Sequence, residues 1–335
     1  MSTTPPEPHG GLDPLALGAD ETPSDAVRGE ELTVELPSLG RPYAAPLRAV
    51  HELSLSVPTG QVTALVGRNG AGKTTTLRTL IGALPFSAGC LEVLGTEMGP
   101  AHVAMPSGVA VVPDAPAYPP RWTARQVARA HGATAARFDH ARFDAYLSEH
   151  RVPVDRPVNA FSRGQLTQLA VAAALAQDPR LLILDEPFAR LDPLARAELV
   201  DELRDLMVFG DRTILLSTHD LEGMDRFVDH LVVLAQGRAA LEGDVETLRE
   251  EFLVLEQAGS GNRSDDAHGL ESLIGPVTTG ETTRGLVHLD EAAGLVPGAH
   301  LRRPGMNELV THWLRAASSP DRASSTASTS RRGTA

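Results

Sequence analysis

Of the 30 lysine and arginine residues in the chain, one alone is a lysine, Lys73. It stands in GRNGAGKT, which fits G-x-x-x-x-G-K-[ST] through Gly67, Gly72, Lys73 and Thr74. Glycines let a chain curl until several backbone N–H groups point at one anion. A helix that begins at the end of such a loop adds its positive pole. Lysine is a compact cation on a flexible stem, and it threads between phosphate oxygens where a planar guanidinium is too wide. Thr74 offers a hydroxyl to Mg²⁺. The expected phosphate contacts are Gly67, Arg68, Asn69, Gly70, Ala71, Gly72, Lys73, Thr74 and Thr75.

Two further places carry chemistry. LLILDEP puts Asp185 and Glu186 side by side at the end of an apolar run. Adjacent acids repel there unless a cation is near. Mg²⁺ held by Thr74 and Asp185 relieves that repulsion and leaves Glu186 to polarise an attacking water. The plainer alternative is a strand end closed by a structural ion pair. His219 follows TILLST. It is one of 12 histidines, and most single histidines are structural, but its place beyond an apolar run makes it a candidate contact for a terminal phosphate.

The elements that must position these groups are four short apolar runs, QVTALVG, GVAVVPD, LLILDE and TILLSTH. None alternates clearly, which is how strands buried on both faces of a parallel sheet read. Helical stretches such as Thr74–Gly82 and Gly164–Ala176 separate them. Each run ends in a residue able to do chemistry: the Gly67 loop, Asp114, Asp185 with Glu186, and His219. Ligands of open α/β sheets sit beyond the carboxyl ends of the strands, so the pattern places one shared site there. ELSLSV alternates and reads as a half-exposed strand of an antiparallel flank. Residues 121–160 read as a polar helical insertion. The fold class expected is therefore α/β, with a mostly parallel sheet, an antiparallel β flank, a helical insertion and a small C-terminal α+β piece.

The main domain is expected over residues 31–252, with its helical part at about 116–165, and the C-terminal piece over 253–316. Residues 1–30 and 317–335 are rich in Pro or Ser/Thr and are expected to lack a fold. In the last predicted helix, Met306, Leu309, Val310, Trp313 and Leu314 make one stripe, expected to pack on its own small domain, with a dimerising or permease-touching face as the lesser alternative. A net charge of −13 argues against a nucleic-acid partner. Cys90 is alone, so no intrachain disulfide forms and a reducing compartment is expected. No apolar run reaches the length of a membrane span, and neither a basic n-region nor an apolar h-region marks a signal peptide.

The order Lys73, Asp185, Glu186, His219, together with NAFSRGQLTQLAVAAALAQDPRLLILDEP, resembles the ABC transporter ATPases over about residues 31–250. The resemblance implies a P-loop NTPase core, ATP and Mg²⁺ as cofactors, and a head-to-tail dimer, homodimeric or heterodimeric, with two ATPs at the interface. It implies that Ser162, Gly164 and Gln165 meet the γ-phosphate of the partner's ATP, and that Asp192 lies in a loop crossing that interface. Tyr43 resembles the aromatic that stacks on adenine. It also implies a separate membrane permease, a cytoplasmic place on the inner face of the plasma membrane, and likeness to bacterial multidrug or antibiotic exporter subunits. Three departures stand out. The usual Leu-Ser-Gly-Gly-Gln reads Phe161-Ser162-Arg163-Gly164-Gln165, Asp114 stands at the usual glutamine that reaches metal-bound water, and a serine is missing from FARLD. Two rivals remain: an ABC ATPase that acts outside transport, and a nucleotide-gated regulator. The closeness of the two nucleotide motifs leaves no room for the long coiled coil of chromosome-type relatives.

Overall fold

A computed structural model of the 335-residue chain describes residues 25–37, 45–100, 104–208, 211–258, 272–292 and 299–318. Tyr43, residues 1–24 and most of the C-terminal tail lie outside the described residues.

Along the chain come strands β1 (Asp25–Leu36), β2 (Leu47–Pro58) and β3 (Val62–Val66), then helix α1 (Lys73–Leu80) and strands β4 (Ala88–Val93), β5 (Thr96–Glu97) and β6 (Val109–Val112). Helices α2 (Ala124–Thr134), α3 (His140–Glu149) and α4 (Arg163–Leu175) follow, with a 3₁₀ turn at Val158–Ala160. The body continues with β7 (Leu181–Asp185), α5 (Pro193–Met207), β8 (Thr213–Thr218), β9 (His230–Ala235) and β10 (Arg238–Asp244). The last part holds α6 (Val245–Glu251), β11 (Phe252–Ala258), β12 (Ile274–Thr279), β13 (Thr282–His288), α7 (Leu289–Ala292), β14 (His300–Arg302) and α8 (Met306–Ala316).

The central sheet has six strands in the order β10-β9-β3-β8-β7-β6. The four apolar runs are β3, β6, β7 and β8, all parallel to their neighbours. Their lack of alternation has the expected cause. Leu182 and Leu184 of β7 face one core, while Leu181 and Ile183 face the other. The second core lies under the antiparallel sheet β2-β1-β4-β5, which is the flank read from ELSLSV.

Strand β1 begins at Asp25, inside the segment expected to lack a fold, so that boundary is corrected. Its pattern escapes a simple reading because Glu31 sits at φ 51° in an irregular stretch of the β1–β2 pairing. A bulge moves later side chains to the other face.

The helical insertion has its own apolar centre around Phe143, Leu147, Val127 and Phe161. Helix α4 joins that centre to the main body. Leu169, Ala172 and Ala173 face the insertion, and Ala170, Val171 and Ala174 face the central sheet. A helix apolar all round is one covered on all sides.

The C-terminal strands form a separate four-stranded antiparallel sheet, β12-β13-β11-β14. Its core is not separate. Met306, Leu309, Val310 and Trp313 of α8 join Phe252, Val254 and Leu286 in the same cluster as Leu231 and Val233 of the central sheet. The Trp313 ring stands edge-on to Phe252 with centroids 5.9 Å apart. Among the described residues, Leu255, Leu273, Val287 and Ala292 make a small cluster of the appendage's own.

Candidate functional site

The loop between β3 and α1 is built by close backbone contact. A Cβ on Gly67 would stand 2.4 Å from the Leu234 carbonyl oxygen, and one on Gly72 would stand 2.6 Å from that of Ala49. Gly72 also has φ 108°, which a side chain would strain. Both positions therefore require glycine. Gly67 N–H donates to the Thr218 carbonyl at 3.3 Å, tying the start of the loop to the end of β8. Arg68, Asn69 and Gly70 are exposed at the tip, and Ala71 is buried beneath them.

Lys73 is the first residue of α1 and its side chain is only 6% exposed. Its ammonium donates to the Gly67 carbonyl at 2.7 Å and pairs with Glu186 Oε1 at 3.0 Å. The next residue, Thr74, donates its hydroxyl to Asp185 Oδ1 at 3.1 Å. Consecutive residues of one helix thus meet the two consecutive carboxylates. Strict strand alternation would have sent those carboxylates to opposite faces. Glu186 instead lies just past β7 at φ 49°, and that left-handed turn brings its side chain to the lysine. The cation that offsets the adjacent acids is present within the chain, since Lys73 serves Glu186 directly.

The second oxygen of Glu186 meets His219 Nδ1 at 2.8 Å, and the His219 ring is 52% exposed. The turn that carries His219 is braced from α5. Arg196 donates to Asp220 Oδ2 at 2.8 Å and to the Glu222 carbonyl at 2.8 Å. Hydrogen bonding to Arg196 is the main cause holding the Asp220 carboxyl below its ordinary value.

One residue of this site escaped the sequence reading. Ser217, fully buried in β8, donates to Asp185 Oδ1 at 2.6 Å and accepts from Glu186 N–H at 3.0 Å. It fixes both acids at once. The signal was weak: Ser217 is one of three buried hydroxyls in TILLST, each of which needs a partner, and the sequence does not say which one meets the acids.

The remaining candidates lie apart from this cluster. Ser162 caps α4. Its hydroxyl accepts from Gln165 N–H at 3.1 Å, and the Gln165 side chain returns to Ser162 N–H at 3.0 Å. This is a capping box. Gly164 sits beside the Arg190 carbonyl, 3.6 Å from where its Cβ would be. Asp192 caps α5, accepting from Leu194 N–H at 3.1 Å and Ala195 N–H at 3.0 Å. Asp114 joins neither Thr74 nor Asp185. Its carboxylate takes Arg190 Nη2 at 3.0 Å. Thr75 is half-buried one residue beyond the cluster, where its carbonyl accepts from the Thr79 hydroxyl at 3.0 Å.

A phosphate loop, a paired acid strand and a histidine thus converge at the carboxyl edge of one parallel sheet. The family model for ABC transporters matches residues 50–189, a span that holds the loop, α4 and both acids. The Nod factor export ATP-binding protein I of Sinorhizobium fredii is 34% identical over 262 residues, covering 73% of this chain and 72% of that protein. This chain belongs to the ABC transporter family.

The protein of the same name from Ralstonia nicotianae is 38% identical over 238 residues, covering 68% of this cassette and 72% of its own length. Among solved structures, an ATP-binding subunit of an ABC transporter superposes with a TM-score of 0.57 at 26% identity, over 67% of this chain and 92% of that one. CbiO1 from Clostridium perfringens, described as part of the complex cbiONQ, gives 0.54 at 25% identity over 68% and 91%. The cassette described here is an ATP-binding subunit with ATP hydrolysis as its activity. No helix among the described residues is long and apolar enough to cross a membrane.

Proposed function

We propose that this ABC subunit works at the cytoplasmic face of the plasma membrane, where paired cassettes bind two ATPs and drive a separate permease that exports a small amphiphile. The partner cassette is a second copy or a related chain. The observation that carries the reading is the meeting of Lys73 and Thr74 with Glu186 and Asp185 at the end of β3 and β7. Likeness to Nod factor export proteins supports the direction of transport.

The residues take the following roles. Backbone N–H groups of residues 68–74 and the N-terminal end of α1 receive the phosphates. Lys73 binds phosphate oxygens as a narrow cation. Glu186, oriented by His219 at 2.8 Å, draws a proton from the attacking water, and the bond from the γ-phosphorus to the bridging oxygen breaks to give ADP and phosphate. The donor set fits Mg²⁺. Thr74 and Asp185 present one hydroxyl and one carboxylate 3.1 Å apart, and Mg²⁺ prefers a few oxygen ligands completed by water and phosphate. Bound there, Mg²⁺ neutralises charge on the phosphates. Ser162, Gly164 and Gln165, at the N-terminus of α4, face the partner's ATP, with Asp192 at the same interface. Tyr43 stacks on adenine. Moving a two-state clamp from mostly open to mostly closed takes about 5.5 kcal/mol of differential binding. Two shared nucleotides supply it.

Purified full chain with MgATP should release phosphate, and Glu186→Gln should slow that by roughly 10²-fold or more while ATP still binds. In gel filtration with ATP the variant should run as a dimer. Undiminished turnover in the variant, or a persistent monomer, would reverse this assignment.

A further inference from the structure

Asp114 occupies a position where this chain departs from the usual pattern, and it binds Arg190, a residue of the FARLD segment. The Arg190 guanidinium lies 3.0 Å from Asp114 Oδ1, with both side chains half-buried. Asp114 belongs to the loop that follows β6, and Arg190 to the loop between β7 and α5. These loops lie at the same edge of the sheet as the acids.

The Arg190 loop is otherwise held firmly. It leaves Glu186 through turns in which Ala189 N–H donates to the Glu186 carbonyl at 3.2 Å and Leu191 N–H to the Phe188 carbonyl at 3.3 Å. Phe188 is buried, and Arg196 lies over its ring at 5.6 Å. The backbone of Arg190 then passes the first turn of α4, against Gly164. A side chain reaching from this fixed loop to the loop after β6 joins three things: the strand end carrying Glu186, the start of α4, and a proline-rich segment leading to the helical insertion.

We infer that Arg190 is a positioning residue, which through Asp114 makes the orientation of the helical insertion set the geometry of Glu186. The inference rests on the proposed hydrolytic site. It also replaces a metal role for Asp114, whose carboxylate is committed to a guanidinium.

The test uses full-length wild type, Asp114→Asn, Arg190→Gln, the double variant and the charge exchange Asp114→Arg/Arg190→Asp. Steady-state MgATP hydrolysis gives kcat and KM, and thermal melting reports folding. For a partly exposed pair, each single variant should lower kcat by up to about fivefold, with KM for ATP unchanged. The double variant should be no worse than either single one, and the exchange should recover most of the loss. Melting midpoints should stay within about 4 °C of wild type.

Three results overturn the inference: additive losses in the double variant, an exchange no better than the single variants, or a changed Mg²⁺ requirement in Asp114→Asn alone. An inactive wild type would instead refute the hydrolytic site itself, so the two failures are distinct.

Discussion

Lys73→Arg keeps the charge and changes only its shape, so it isolates what the site demands. The lysine is 6% exposed and ends between the Gly67 carbonyl at 2.7 Å and Glu186 at 3.0 Å. One side of this seat is loop backbone. The contacts of 2.4 Å and 2.6 Å that a Cβ would make at Gly67 and Gly72 leave the loop no room to recede. A planar guanidinium has to seat elsewhere, and the variant forfeits the charge-assisted bond to phosphate. Such a bond is worth about 1.5–3 kcal/mol, so Kd for ATP should rise about tenfold to 150-fold. The same cation stabilises charge that develops during transfer, so turnover should fall by roughly 10²-fold or more. Competition against a fluorescent nucleotide at fixed Mg²⁺ measures the first effect, and phosphate release the second. Lys73→Ala supplies the reference for complete loss. If the arginine variant stays within about threefold of wild type in both assays, the narrow-cation argument is wrong.

Two other perturbations are informative. Ser217→Ala removes the donor that holds Asp185 at 2.6 Å and the acceptor of Glu186 N–H, so it should cost about 1–3 kcal/mol in urea unfolding and weaken Mg²⁺-dependent nucleotide binding. Glu242 Oε1 accepts from Ser56 N–H, and burial raises its carboxyl from the ordinary 4.5 to about 7. The folded state therefore holds this proton more tightly than the unfolded chain, and the group's contribution to stability declines as pH rises from about 4.5 to about 7. Melting midpoints across that window should fall less in Glu242→Gln, whose amide oxygen still accepts from Ser56.

The parts of the site that the sequence announced are those fixed by local chemistry. GRNGAGKT becomes a loop because Gly67 and Gly72 have no room for a side chain, and LLILDE becomes a strand because both its faces are covered. What escaped notice depends on contacts between distant segments. Ser217 matters through Asp185, and Asp114 through Arg190, and neither pairing has a local pattern. The placement of Glu186 was hidden for a different reason. Its positive φ overrides the alternation that a strand implies. A bulge hides strand β1, and the stripe on α8 does not say which surface it covers, so the core that the appendage shares with the central sheet has no sign in the sequence.

That stripe has a bearing on the chain's architecture. Met306, Leu309, Val310 and Trp313 roof the strand next to β3, on which the phosphate loop is mounted. Cutting the chain after Glu251 would strip oily cover from the catalytic half and leave it prone to clumping. Anything that binds the segment between Phe252 and Ala316 presses on a core shared with the strands that carry the nucleotide loop, so extra modules belong beyond the final helix rather than before it.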